Sequence, residues 1–249
     1  MLAKDKKEKK TLSEKQKKPK KAATNPFIGT NKESSLHKSL KLHYSGSNGV
    51  TETLLGPYIC DGMTGKGEIV EVQTGSFGPL EEKIRFFAKK NKVRIIHPIY
   101  AQKYIEVYDT SGIMKWRRKS PIKGSAWDLF TVLIYAPELA LLKNVVIELA
   151  VIDVIEKRID DGKGSWRRKG ISICDRFISG WRQPVVLAKS RDYYQFAPFK
   201  RNEEFTVRDL AKKAEINIAL AGKTLYVLGR LNLVKQIGKK GNAFIYKRR

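Results

Sequence analysis

The sequence has few cysteines, no long apolar run and half as many acidic as basic side chains. Its two cysteines, Cys60 and Cys174, have no CxxC spacing, which argues against a disulfide framework or a zinc ribbon and favours a reducing compartment. Apolar stretches are interrupted before they reach the ~18 residues that a membrane-spanning helix requires. The lysine-rich start lacks the apolar segment of a secretion signal. We therefore expect a cytoplasmic protein with no membrane partner.

The sequence lacks the motifs that are typical of several enzyme classes. No GxxxxGK[ST] or GxGxxG segment occurs, which leaves nucleotide hydrolysis and dinucleotide binding without support. There is no GxSxG elbow, and neither cysteine has an evident histidine partner for nucleophilic catalysis. The three histidines, His37, His43 and His97, have no spacing that indicates a zinc site.

The charge balance indicates a polyanionic partner. The chain has 50 Lys and Arg against 25 Asp and Glu, a formal charge of +25. Such a balance is typical of proteins that bind nucleic acid or an anionic membrane surface, and we expect DNA. Two WRRK segments each place an indole ring beside three cations, which suits contact with a sugar–phosphate backbone. The alternative is that each Trp anchors a loop to the core while its cations are solvated. The predicted contact residues are Trp116, Arg117, Arg118, Lys119, Trp166, Arg167, Arg168 and Lys169.

Composition divides the chain into three parts. Residues 1–28 are lysine-rich and poor in large apolar side chains, so we expect a disordered tail. That tail is either a solubilising segment or a basic arm that adds phosphate contacts. Residues 29–195 form the predicted main domain, and residues 200–249 form a small C-terminal domain.

Hydrophobic periodicity in the main domain predicts an α/β fold with a mixed sheet. Leucines at helical spacing predict a helix over residues 33–44, and Pro79 marks the start of a second helix. A third helix is predicted at AWDLFTVLIY. The predicted strands are two short ones or one bent one around Gly56-Pro57, one over residues 68–74, separate strands at VRIIHPIY and KYIEVYD, and a long buried strand at VVIELAVIDVIEKR.

Residues 200–249 have the predicted order helix, turn, helix and hairpin. Thr206 and Asp209 are spaced as in a capping box, Asn217 is a candidate cap, and GKKGN is a hairpin turn. This order predicts a winged helix-turn-helix whose second helix enters the DNA major groove. The alternative is a winged helix used for protein contacts or for assembly as a homodimer. The predicted DNA contacts are Lys223, Lys239 and Lys240.

Two polar residues interrupt the strand predicted over residues 68–74. Because side chains alternate along a strand, Glu71 and Gln73 share one face, about 7 Å apart. Asp61 ends the preceding strand, and a hairpin at GMTGKG would bring it beside Glu71. Two carboxylates at one place are hard oxygen ligands suited to Mg²⁺ or Mn²⁺. Such an ion polarises a phosphoryl oxygen and lowers the pKa of an attacking water.

The pattern Asp61, Glu71, Val72, Gln73 after a strand hairpin resembles the PD-(D/E)xK nuclease superfamily. The resemblance implies a restriction-endonuclease-like α/β core in which Asp61, Glu71 and the Val72 carbonyl bind the metal ion. It also implies that Glu33, on the first helix, completes the site. Residues 33–249 further resemble an uncharacterised prokaryotic family that joins such a core to a C-terminal winged helix. The segments that carry this second resemblance are ESSLHKSLKLHY, EVQTGSF, the WRRK pair and GKKGNAFIYK.

Gln73 stands where that superfamily normally has a lysine. An amide orients water but carries no positive charge, although the resembled superfamily includes some active restriction enzymes with this Glu-x-Gln variant. Lys83 on the following helix is one candidate to supply the missing positive charge. The favoured interpretation, however, is that Lys83 is a solvated residue on the helix surface. His37 lies one helical turn after Glu33, so it either faces the site or is a structural histidine.

The expected function is that of a metal-dependent DNA endonuclease, cytoplasmic and nucleoid-associated. Glu33, Asp61, Glu71 and Gln73 are its expected catalytic residues. The alternative is a DNA-binding or regulatory protein that keeps the nuclease fold but is catalytically inactive. A basic ribosome-associated protein would also fit the charge but leaves the Asp, Glu and Gln set unexplained.

Overall fold

The computed structural model describes residues 33–249, so the tail predicted at residues 1–28 lies outside the described residues. A mixed sheet of eight strands forms the centre of the chain, which confirms the predicted mixed α/β class. Its strands are β1 (Val50–Leu55), β2 (Tyr58–Met63), β3 (Ile69–Val72), β4 (Val93–Tyr108), β5 (Met114–Lys119), β6 (Val145–Asp160), β7 (Ile171–Trp181) and β8 (Val185–Leu187). The helices around it are α1 (Ser35–Ser45), α2 (Glu81–Ala88) and α3 (Leu129–Leu133).

Three parallel strands lie in the middle of this sheet. β4 pairs in parallel with β3 on one side and with β6 on the other. The order along the sheet is β1-β2-β3-β4-β6-β7, while β5 pairs with β4 and β8 pairs with β6. The long β6 is buried along most of its length, as its nearly continuous apolar sequence predicts for a strand covered on both faces.

Three of the predicted elements have different boundaries in the structure. The strand predicted over residues 68–74 ends at Val72. The segments VRIIHPIY and KYIEVYD form one strand, β4, because a bulge at Ala101 lets its pairing with β6 continue. The helix predicted at AWDLFTVLIY is a 3₁₀ turn (Ala126–Asp128) followed by α3, which ends at Leu133.

The first helix also begins later than predicted. Ser34 is its N-cap, and the Ser34 side-chain oxygen accepts a hydrogen bond from the His37 N–H at 3.3 Å. Serine is a preferred residue at this position because it satisfies a backbone donor that has no partner within the helix. Glu33, which was predicted to lie on the helix, therefore precedes it.

Helices cover both faces of the sheet. On one face, Leu36 and Leu40 of α1 pack against apolar residues of β3, β4 and β6. On the other face, Ile84 of α2 and Phe130 of α3 belong to the same buried cluster as Ile95 of β4. Each such side chain contributes about 1.5–3 kcal/mol when it is fully buried. In the described part of the chain, none of the helices is both long and apolar enough to cross a membrane.

The C-terminal residues form two helices and a small antiparallel sheet: β9 (Glu204–Phe205), α4 (Val207–Lys213), α5 (Ile218–Arg230), β10 (Val234–Lys240) and β11 (Ala243–Arg248). The predicted capping box is confirmed, since Thr206 and Asp209 each accept a hydrogen bond from the backbone N–H of the other. Asn217 caps α5 as predicted. β10 and β11 form the predicted hairpin, and β9 pairs with β11.

One hydrophobic cluster joins the main sheet to the C-terminal helices. The ring centroids of Phe130 and Phe196 are 4.8 Å apart, and those of Trp127 and Phe196 are 5.1 Å apart. The same cluster includes Leu220 and Leu225 of α5. Residues 200–249 therefore share buried apolar surface with the sheet, and their removal would expose it.

Phe130→Ala should destabilise the sheet and the C-terminal helices together. It removes a fully buried ring, which costs about 3–5 kcal/mol, and amide hydrogen exchange should accelerate in α5 as well as in β6. Ile113→Ala, which truncates a side chain that is 66% exposed, is the control and should change the unfolding free energy by less than ~0.5 kcal/mol. Unchanged protection of α5 in Phe130→Ala would contradict the shared core.

Candidate functional site

The paired strands β2 and β3 separate at Asp61 and Glu71. Their backbone pairing extends only as far as Gly62 and Val70. Beyond that point the Asp61 N–H donates to Glu71 Oε1 at 3.2 Å, and the Val72 N–H donates to Asp61 Oδ2 at 2.8 Å. Each carboxylate thus satisfies a backbone donor that has no partner in the ladder. These crossed hydrogen bonds bring the two predicted carboxylates side by side.

Glu71 is a buried carboxylate with a lysine partner. Its side chain is 2% exposed, and Lys83 of α2 donates to its Oε2 at 2.7 Å. Burial, reinforced by the nearby Asp61 charge, raises the pKa of Glu71 to about 7 against the opposing effect of Lys83. The interpretation of Lys83 as a solvated helix residue is therefore wrong, because its side chain is only 20% exposed and is paired within the cluster.

His37 lies between Glu33 and the ends of β2 and β3. Its Nδ1 is 2.6 Å from Glu33 Oε1, and its Nε2 is 3.0 Å from the Val72 carbonyl and 3.5 Å from Asp61 Oδ2. Ionised carboxylates and carbonyls only accept hydrogen bonds, so both ring nitrogens carry a proton. The hydrogen bond to Asp61, with that to Glu33, outweighs burial and raises the pKa of His37 to about 9. An imidazolium cation therefore sits beside the Val72 carbonyl.

Lys41 is a second cation on the same helix face, and it was not among the predicted site residues. Its Nζ lies 2.7 Å from Glu33 Oε1 and 2.8 Å from Glu52 Oε1, and its side chain is 6% exposed. Glu33, His37 and Lys41 follow one another at four-residue spacing, and that spacing is the signal that could have indicated the contact. Glu52 has a φ of 55°, a left-handed conformation that is uncommon for a residue other than glycine.

Gln73 does not share a strand face with Glu71 as predicted, because β3 ends at Val72. The Gln73 side-chain Nε2 donates instead to the Ser76 carbonyl at 2.5 Å. The Gln73 carbonyl accepts a hydrogen bond from His97 Nδ1 at 2.7 Å. The side-chain amide nitrogen and the backbone carbonyl of Gln73 therefore both stabilise the turn that leads from β3 to α2.

Only part of the expected metal ligand set converges. Across residues 33–249, no group of three or more His, Cys, Asp or Glu side chains has the geometry of a metal site, and His37 separates Glu33 from Asp61. The oxygen donors that do meet are the carboxylates of Asp61 and Glu71 and the Val72 carbonyl. This donor set fits Mg²⁺, which proteins often hold through one or two carboxylates while the ion keeps several waters.

Two open depressions adjoin at Thr74, and His37 lines the first of them. The first has a volume of about 500 Å³ and is lined by Glu33, Ser34, His37, Lys41, Glu52 and Thr74. The second has a volume of about 270 Å³, and its lining includes Thr74, His97, Tyr100 and Lys103. Because both contain Thr74, they are adjoining parts of one accessible surface that runs from the end of β3 along the middle of β4.

The predicted nucleic-acid contacts lie on four separate elements. Trp116, Arg117, Arg118 and Lys119 are exposed on β5. Trp166, Arg167 and Arg168 form a 3₁₀ turn that Lys169 ends. The Trp166 side chain is 83% exposed, so the alternative that it anchors a loop to the core is wrong. Lys223 lies on α5, and Lys239 and Lys240 are exposed on β10.

The fold and cluster define a mixed α/β protein with paired carboxylates, a lysine and a histidine at the place where β2 and β3 separate. Residues 34–188, more than half of the chain, match the model of the family described as "Domain of unknown function (DUF8091)", and the chain belongs to that family. The matched part begins at the α1 N-cap, ends after β8 and contains Asp61, Glu71 and Lys83.

The chain is also similar to an "Uncharacterized protein" of Treponema pallidum (strain Nichols). The two are 31% identical over 149 residues, which make up 60% of this chain and 59% of the relative. The chain thus spans less than two thirds of the length of that relative. No solved structure matches the present chain.

Replacing His37 should remove a pH-dependent part of the stability. The pKa of His37 is about 9 in the folded chain against 6.5 for a free imidazole, so the folded state binds this proton more tightly. The resulting stabilisation, of the order of 3 kcal/mol, is complete below pH ~6.5 and is lost as the pH rises through ~9. Thermal unfolding in EDTA should show this loss for the wild type and not for His37→Gln.

The control for this experiment is His43→Gln, which alters another histidine of α1, one that stacks on Trp181 at 3.9 Å. It should follow the wild-type profile. If His37→Gln loses as much stability as the wild type between pH ~6.5 and ~9, the charged state assigned to His37 is contradicted.

Proposed function

We propose that the chain is a metal-dependent endonuclease that hydrolyses phosphodiester bonds in DNA, built on a restriction-endonuclease-like core of PD-(D/E)xK type. The observation that carries the proposal is the meeting of Asp61, Glu71 and Lys83 at the separated ends of β2 and β3. Carboxylates hold a metal ion in such chemistry, and an amine offsets the charge of the transition state. The net charge of +25 favours a polyanionic substrate.

In this proposal Lys83 takes the role that a lysine at position 73 would have. The turn after β3 leads directly into α2, which brings Lys83 Nζ to within 2.7 Å of Glu71 Oε2. An ammonium group has three donors, so Lys83 can bond Glu71 and still donate to water or to a phosphoryl oxygen. Gln73, held by Ser76, would fix the turn that places Lys83.

Asp61, Glu71 and the Val72 carbonyl would hold Mg²⁺ or Mn²⁺. When bound, such an ion polarises a phosphoryl oxygen and lowers the pKa of a coordinated water. Glu71 has to be ionised to act as a ligand, and the hydrogen bond from Lys83 favours that form. His37 would release the Val72 carbonyl and, as an imidazolium, attract a phosphate oxygen. Glu33 would position His37 through the hydrogen bond at Nδ1.

The C-terminal unit is proposed to be a winged helix that places the core on DNA. Its order of α4, α5 and a basic hairpin is that of the motif, in which the second helix enters the major groove. Lys223 on α5 and Lys239 and Lys240 on β10 would then contact phosphates, which position a protein on the duplex. Assembly as a homodimer, which would present a core to each strand, stays a prediction.

A second candidate function is DNA binding without cleavage. It is favoured by the lack, within the described residues, of a metal group built from three side chains. It is also favoured by the backbone hydrogen bonds that Asp61 and Glu71 accept, since these give both carboxylates a structural reason to be present. The two candidates share DNA binding and differ in turnover.

The purified chain should nick or cut DNA with Mg²⁺ or Mn²⁺, and EDTA should stop the reaction. Asp61→Asn and Lys83→Ala should each lower the cleavage rate about 100-fold or more while DNA affinity stays within about twofold, because both groups act at the reacting bond. Glu81→Gln, which alters an α2 carboxylate paired with Arg85, should cut at the wild-type rate. Binding without cleavage under every metal ion would favour the second candidate instead.

Lys239→Ala combined with Lys240→Ala should weaken DNA binding and its salt dependence. The slope of log affinity against log salt should become shallower by about 0.9 for each phosphate that the variant no longer neutralises. The matched control is the pair Lys89→Ala and Lys143→Ala, which removes two lysines that lie together beside α2. Equal losses in both double variants would show that binding follows total charge and would contradict a specific role of the hairpin.

A further inference from the structure

Beyond the end of β3, the strands β5, β4, β6 and β7 continue as a four-stranded sheet. Its registers place Arg118, Ile105, Glu156 and Arg176 side by side in one row across the four strands. In the neighbouring row Lys103 is opposite Val154, and Val154 packs in the same cluster as Leu36 of α1. This row therefore lies on the α1 face, which also carries the Glu33, His37 and Lys41 part of the candidate site.

Glu156 is a buried carboxylate surrounded by three cations. Its side chain is 2% exposed. Arg158 donates to Glu156 Oε1 from Nε at 2.8 Å and from Nη2 at 2.5 Å, and Arg176 Nε donates to Oε2 at 2.8 Å. Lys103 Nζ lies 3.8 Å from Oε2. Burial alone would raise the pKa of Glu156, but the hydrogen bonds from Arg158 and Arg176 hold it below its ordinary value.

The cluster carries more positive charge than Glu156 can neutralise. Three cations against one carboxylate leave an excess of two positive charges. The side chains of Lys103, Arg158 and Arg176 are 20%, 14% and 35% exposed, so each is partly accessible to solvent while its charged group faces Glu156. Packing of the sheet does not require this excess, because a single arginine satisfies both carboxylate oxygens in a bidentate pair.

A pair on the opposite face of the same sheet shows that simpler arrangement. Asp153 pairs in register with Gln102, and Gln102 is adjacent in β4 to Lys103, so Asp153 points away from the α1 face. Arg182 donates to both Asp153 oxygens, at 2.9 and 3.1 Å. There one arginine meets one carboxylate, and no excess charge results.

The Glu156 cluster is connected to the candidate site along the surface. Lys103 lines the depression that also contains His97, Tyr100 and Thr74. Thr74 in turn lines the depression formed by Glu33, His37 and Lys41. A strand that occupied both depressions would pass from His37, past Thr74, to Lys103 beside the two arginines. Fixed, partly exposed cations with excess charge along such a path suit an extended chain of phosphates.

We infer that Lys103, Arg158 and Arg176, held in place by Glu156, form a binding site for the phosphate backbone of a nucleic-acid strand that enters the candidate site. The inference rests on the proposed function for the direction of that strand, but the binding site itself does not need turnover. Arg158 and Arg176 present guanidinium forks suited to phosphate oxygens, and Lys103 presents a point charge between them and the site.

The test is binding of a short fluorescent DNA duplex in EDTA over a series of KCl concentrations. Lys103→Ala and Arg176→Ala should each weaken affinity about tenfold at fixed salt. Because each variant neutralises one phosphate fewer, the slope of log affinity against log salt should become shallower by about 0.9. Arg176→Lys, which keeps the charge but not the fork, should recover the slope and only part of the affinity.

Arg182→Ala is the matched control and should bind as the wild type does, since it removes an arginine from the other face of the same sheet. Thermal unfolding of each variant checks that the chain remains folded. The site is overturned if Lys103→Ala and Arg176→Ala retain wild-type affinity and slope, if Arg182→Ala loses as much as they do, or if the wild type does not bind.

The two proposals fail in different ways. A wild type that binds DNA through Lys103 and Arg176 but never cuts it would contradict the nuclease and leave the phosphate site in place. A wild type that cuts DNA while Lys103→Ala and Arg176→Ala bind and cut normally would contradict the phosphate site and leave the nuclease in place.

Discussion

The crossed hydrogen bonds between Asp61 and β3 are the interaction on which the rest of the site depends. Where β2 and β3 separate, each carboxylate accepts a backbone N–H from the other strand. The separation makes room for two carboxylates in a sheet that is otherwise closed by backbone pairing. It also leaves the Val72 carbonyl free of strand pairing to β2, so that His37 can donate to it. Two acids, a carbonyl and an imidazolium meet for this one reason.

Burial of acids beside cations recurs in the central sheet. Glu71 is held with Lys83, and Glu156 with Lys103, Arg158 and Arg176. A buried carboxylate is costly unless it is paired and hydrogen-bonded. Both acids therefore fix the positions of long, flexible cations that would otherwise be disordered in solvent. Under the proposed function, the first pair serves chemistry at the reacting bond and the second cluster serves binding of the substrate backbone.

Local patterns in the sequence predicted the elements and one pair of site residues. Apolar runs predicted β6, the capping box at Thr206 predicted α4, and the hairpin turn brought Asp61 next to Glu71. The errors at the site came from contacts between different secondary-structure elements. Lys83 looked solvated because its partner belongs to a strand rather than to its own helix. The Glu156 cluster depends on the registers of β4, β6 and β7, which no local pattern specifies.

The most direct test of the proposed metal site is a crystal of the protein soaked with Mn²⁺, in which anomalous scattering locates the ion. We expect a peak bounded by the carboxylates of Asp61 and Glu71 and the carbonyl of Val72, with the His37 ring moved away from that carbonyl. A crystal without a peak there, in which His37 still donates to the Val72 carbonyl, would contradict the metal site and leave Asp61 and Glu71 with a structural role.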